Sequence, residues 1–134
     1  MKTPSSPKDE LDGLPYFPRL CDKVRLHMAG ELDEAYHANL GAGMDLWTCE
    51  FLGALYEELA EQVRAGATDE QALAWAKRHG KRRPECEVAW WMAYMRCRGF
   101  RDDFADRLAE RKKEAGMEDR ADILTFMDFI DADE

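Results

Sequence analysis

Arg19, Asp22, Lys23, Arg25 and His27 crowd into nine consecutive positions within PRLCDKVRLHMAGEL, residues 18–32. Arg19, Lys23 and His27 are spaced at four, so a helix places them on one flank. A guanidinium, an ammonium and an imidazole in line are the parts of an anion pocket. The first forks onto a planar anion, the second adds a point charge, and the third donates or carries a proton. Asp22 and Arg25 fall on the other side. The plain alternative is a solvated flank whose cations pair with acids such as Glu31 or Asp45, pairs worth about 0–1 kcal/mol each. Tyr36 and His37 follow and lead into the glycine-bearing segment NLGAGMD, residues 39–45. The candidate pocket is therefore Arg19, Lys23, His27, Tyr36 and His37, with Asp22 or Asp45 to orient a histidine.

Other chemistries find little support. His27 and His37, with Asp45, Cys49 or Glu50, lack the tight ligand spacing that metal sites show, so no metal is expected. The stretch GAG at residues 41–43 follows no strand and lacks the full glycine fingerprint, so no nucleotide cofactor is expected. The basic run KRHGKRR, residues 77–83, reads as a helix C-terminus rich in cations followed by a solvated loop. A net charge of −9 argues against nucleic acid as a partner. The four cysteines form no CxxC pair and read as small buried hydrophobes in a reducing cytoplasm. No apolar leader and no run of about eighteen apolar residues is present, so neither export nor membrane insertion is expected.

The elements that must carry these residues are helical. Val, Ile and Thr number only three, two and four. Ala, Leu, Glu and Arg are abundant, and this balance favours helix over strand. Residues 1–17, with Pro4, Pro7 and Pro15, read as an extended arm whose end is anchored by Tyr16 and Phe17. Residues 18–134 form one helical domain. A first helix runs from about Pro18 to Ala29, with Phe17, Leu20, Cys21, Val24 and Met28 as its apolar stripe. A short helix at 31–38 precedes the glycine segment, and Asp45 is placed to cap a second helix over about 46–65. Gly53 marks a break or kink in that helix. TDEQ, residues 68–71, is a capping box opening a third helix that ends at Gly80. Fifth and sixth helices are expected over about 102–115 and 119–130, leaving residues 131–134 as an acidic tail.

The fourth helix, about 85–98, is apolar on two sides. Val88, Trp91, Met92 and Met95 form one face; Cys86, Trp90, Ala93, Tyr94 and Cys97 form the other. Such a helix must be covered twice, which makes it the expected centre of a small all-α bundle of about six helices. Failing that, it is half of an interface, with Trp90, Tyr94 and Trp75 as the candidate contact residues.

Several of these pieces belong to one pattern: LPYFPRLCDKVRLHMAGEL, the YH of Tyr36-His37, FLG at 51–53, ATDEQALAW at 67–75, and RADILTFMDFIDADE at the end. Together they resemble the bacterial family known as domain of unknown function 5069, over nearly the whole chain. The resemblance implies a single small bacterial domain of no assigned activity and carries over no catalytic residue. Two function classes follow from the residues. The first is a non-catalytic protein-interaction module that buries a partner or a second copy. The alternative is a small enzyme or anionic-ligand binder built on Arg19, Lys23, His27, Tyr36 and His37. If those polar side chains converge on one cavity with unpaired donors, the second class gains; if each meets a carboxylate at the surface, the first does.

Overall fold

Six of the twelve residues of α1, Phe17–Met28, are buried, two of them charged: Phe17, Arg19, Leu20, Cys21, Lys23 and Val24. The computed structural model describes residues 1–134 and builds its main core around this helix. Pro18 sits in the first turn, where a missing N–H costs nothing. Leu59, Ala60 and Val63 of α3 (Tyr56–Arg64) and Ala72, Leu73 and Ala76 of α4 (Asp69–His79) close over the apolar face of α1. Small alanines let α3 and α4 approach closely. The capping box opens α4: Thr68 Oγ1 accepts from the Gln71 N–H at 3.1 Å, and Gln71 Oε1 accepts from the Thr68 N–H at 2.9 Å.

The long second helix is two helices. α2 (Met44–Leu52) stops at Gly53, whose φ of 70° is left-handed, and α3 begins at Tyr56. The domain therefore has seven α-helices and a 3-10 helix over Glu34–Asn39. It also has one short antiparallel hairpin, β1 (Glu10–Leu11) and β2 (Leu14–Pro15).

Three expectations are corrected. Residues 1–17, expected as an extended arm anchored only at its end, pack along their length and contain the hairpin. Pro4 and Pro7 are buried, Ser5 bonds Asp22, and the segment is tied to α7 (Phe126–Asp133) by Ser6 to Asp131 at 2.8 Å and Lys8 to Asp128 at 2.7 Å. Prolines suit such a strap because they leave no orphan N–H donors in the packed segment.

The second correction concerns α5 (Glu85–Cys97), which is not the central helix; α1 is. Only Met95 of α5 is buried. Val88, Trp91 and Met92 are half-buried toward the hairpin and α2, while Trp90 is 68% exposed and Tyr94 45%. Periodicity marks a face as apolar, but the inner side of this chain was already filled by α1, α3 and α4.

The third is the C-terminal helix. Residues 119–125 are irregular, and α7 runs from Phe126 to Asp133, absorbing the expected acidic tail. Thr125 sets its start by accepting the Asp128 N–H at 3.1 Å, and Asp128 in turn accepts the Leu124 N–H at 3.1 Å. α6 spans Ala105–Glu114 and packs with α7 through Leu108, Ile123 and Phe129, a second, smaller core.

Candidate functional site

Lys23 and Asp45 are 3% and 0% exposed and meet inside the domain, Nζ to Oδ1 at 3.0 Å. Asp45 is not a helix cap, since Gly43 holds that position. Its carboxylate turns inward, taking the Tyr16 hydroxyl at 2.6 Å and the Gly41 N–H at 3.0 Å. A buried carboxylate needs such a full set of donors, because an unpaired one costs several kcal/mol. Tyr16 reaches it from a left-handed backbone, φ 73°, where a non-glycine residue is strained by about 1–2 kcal/mol. Burial lowers the Lys23 pKa, against the opposing pull of Asp45. Burial also raises the Tyr16 phenol well above its usual range, with Asp45 adding to the effect.

One turn earlier on α1, Arg19 is 4% exposed. Its guanidinium forks onto both oxygens of the Glu134 side chain, Nη1 to Oε1 at 2.9 Å and Nη2 to Oε2, while Nη1 also donates to the Ser5 carbonyl at 3.1 Å. The Tyr36 hydroxyl donates to Glu134 Oε2 at 2.7 Å. Burial works against the Arg19 charge, yet the Glu134 carboxylate outweighs it and leaves the pKa raised. Tyr36 is pushed up to about 12 by burial and then by Glu134.

Arg19, Lys23, Tyr16, Tyr36 and Glu134 share one wall of a cavity of about 450 Å³. The lining also includes Trp47 of α2, Phe104 before α6, and Phe126, Phe129 and Ile130 of α7. Trp47 meets Phe104 edge-on at 5.3 Å, and Phe104 meets Phe126 at 5.9 Å. Arg98, 6% exposed, lies over Phe104 at 4.1 Å and over Trp47 and Tyr94 at 5.1 Å, its charge held by Asp102 and Asp103. This stack braces the aromatic wall from behind. Arg107 and Arg111 also line the cavity, each paired with a carboxylate of its own helix, Glu110 at 2.9 Å and Glu114 at 3.6 Å. Lys23 Nζ uses two of its three N–H donors on Tyr16 and Asp45, which leaves one for a guest.

Of the residues singled out in the sequence, Arg19, Lys23 and Tyr36 line this cavity, and Asp45 stands directly behind Lys23. His27, His37 and Asp22 do not. His27 and His37 are exposed and meet edge-on at 4.7 Å, with His37 Nε2 3.1 Å from the Leu32 carbonyl. No three His, Cys, Asp or Glu side chains gather around a common metal position. Asp22 pairs with Ser5 and Arg25. The solvated-flank expectation fails for Arg19 and Lys23, which are buried with their carboxylates rather than paired at the surface. Trp75 is half-buried and stacked on His79 at 4.8 Å.

The sequence reading missed Glu134, Arg98 and the aromatic wall. Thr125 and Asp128 carried a capping signal, T-x-x-D, that would have placed the start of α7 at Phe126. Nothing local pointed Phe104 at Trp47. A second, larger hollow of about 820 Å³ lies between the hairpin turn, α4 and the start of α5, rimmed by Lys77, Lys81, Arg82 and Arg83. None of those four cations is buried, whereas the first cavity has two buried ones.

Fold and cavity define a small, predominantly helical domain with a cation-walled aromatic pocket, and no helix in it is long and apolar enough to cross a membrane. The family model described as Domain of unknown function (DUF5069) matches residues 1–134, and the chain belongs to that family. No curated protein and no solved structure matches it.

Proposed function

We propose that the protein binds a small anionic molecule in the cavity bounded by Arg19, Lys23 and Tyr36. One observation carries the reading: two cations, 4% and 3% exposed, line one cavity together with Trp47, Phe104, Phe126 and Phe129. Ligand pockets commonly have this make-up, a mainly apolar lining with a few convergent polar groups. Stability alone does not account for it, because a buried ion pair contributes little over a hydrophobic replacement of similar size.

Thermal unfolding of the purified protein with a panel of small anions tests this. A ligand at a hundred times its Kd adds about 2.7 kcal/mol, several degrees in Tm for a domain of this size. A saturable shift that Lys23→Met abolishes is the expected result. No saturable shift from any inorganic or organic anion at millimolar concentration refutes it.

The interaction-module reading keeps one observation of its own. Trp90 and Tyr94 of α5, and Phe100 just after it, are exposed large aromatics. Light scattering at high protein concentration tests self-association through them. A strict monomer removes the homodimer version.

A further inference from the structure

We infer that the Glu134 side chain stands in for the ligand's own carboxylate, and that the ligand is a monocarboxylic acid with an aromatic or aliphatic body, which displaces Glu134 as it enters. The inference rests on the binding role proposed for the same cavity. Glu134 receives both arms of the Arg19 fork and the Tyr36 hydroxyl, so its two oxygens already mark the positions of a bound carboxylate. Its side chain is only 13% exposed, although the residue as a whole lies at the surface. An acid drawn inward at a helix end behaves as a plug.

The plug is placed to leave. It caps the C-terminal end of α7, held on the main chain by a 3.2 Å bond from its N–H to the Ile130 carbonyl. Helix ends fray at little cost. Withdrawal of Glu134 leaves Arg19 with the Ser5 carbonyl and two vacant fork positions, beside the spare N–H of Lys23. The seat suits a planar carboxylate, and the rings of Trp47, Phe104 and Phe126 take an apolar body of one ring or a short chain.

The test is titration calorimetry of wild type and Glu134→Gln with 4-phenylbutyrate. Its amide supplies the body without the charge, acetate the charge without the body, and inorganic phosphate a different anion. A plug seated in about nine molecules of ten weakens the apparent affinity about tenfold. Glu134→Gln is expected to bind 4-phenylbutyrate about tenfold more tightly than wild type, with no gain for the amide. In wild type, nuclear magnetic resonance should show the last turn of α7 moving as 4-phenylbutyrate saturates. This second readout decides the matter if the variant folds poorly.

Equal or weaker binding by a folded Glu134→Gln, while wild type still saturates, overturns the displacement and leaves the binding role standing. An unmoved α7 in saturated wild type does the same. Phosphate binding more tightly than 4-phenylbutyrate to Glu134→Gln overturns the ligand class. No saturable binding of any probe to either protein overturns both the inference and the binding role.

Discussion

Asp45→Asn isolates the charge of the buried Lys23–Asp45 pair. The amide has nearly the shape of the carboxylate, so it opens no cavity. Its oxygen can still take the Tyr16 hydroxyl or the Gly41 N–H, now 2.6 and 3.0 Å from the two carboxylate oxygens. What disappears is the negative charge 3.0 Å from a Lys23 ammonium that is 3% exposed. Removing one partner of a buried pair typically costs about 3–5 kcal/mol. With the hydrogen bonds partly kept, the lower end applies, about 3 kcal/mol at pH 7. Lys23 has an escape: it can shed its proton, at about 1.4 kcal/mol for each unit by which its pKa exceeds the working pH. Burial has already lowered that pKa, so the cost of Asp45→Asn shrinks as pH rises from 7 toward 10. Lys23→Met should cost a similar amount by stranding the carboxylate. The double variant should cost only about 1 kcal/mol, because neither unpaired charge remains. Urea denaturation of the four proteins at pH 7 and pH 9.5 gives the cycle. A double variant as unstable as the sum of the singles, or an Asp45→Asn cost that does not change with pH, refutes the reasoning.

Gly80→Ala should destabilise far more than Gly30→Ala. A Cβ at Gly80 would lie 2.1 Å from the Leu52 carbonyl oxygen, whereas at Gly30 it meets nothing within 4 Å and suffers only the strain of its positive φ. Thermal melts of the two variants rank them, and equal losses would refute the close approach. Thr48→Val should raise the urea midpoint, by about 1 kcal/mol of stability, because the buried Thr48 hydroxyl finds no protein partner and its methyl-for-hydroxyl replacement fits the same space. A loss of stability means that the hydroxyl is satisfied after all. Tyr36 should ionise near pH 12 in the folded protein against about 10 in the unfolded chain, an effect of burial and of its bond to Glu134. The neutral phenol is thus favoured by folding. Its contribution is whole below pH 10 and is lost as the pH climbs to 12. Absorbance at the phenolate band checks this, and loss of the delay in Glu134→Gln would tie part of it to that residue.

Much of the local structure was written in the sequence. The three-and-four spacing of Leu20, Cys21 and Val24 with Pro18 specifies α1, although Met28, expected on the same buried stripe, is 58% exposed, and T-D-E-Q specifies the start of α4. Gly53 announced the break between α2 and α3. These features depend on contacts within a turn or two of the chain, and neighbouring side chains suffice to set them. The spacing of Arg19 and Lys23 likewise put them on one flank of α1. Which flank becomes buried is another matter. Glu134 lies 115 positions from Arg19, and Asp45 lies 22 from Lys23. No periodicity encodes such pairings. They arise because the end of α7 and the first turn of α2 come to lie beside α1, and only then do two cations that could have stayed in water require carboxylates beside them. For the same reason α5 displayed two apolar faces in its sequence, yet only packing decided that Met95 turns inward and Trp90 outward: burial belongs to the neighbours a face acquires, and those are set by the whole chain at once.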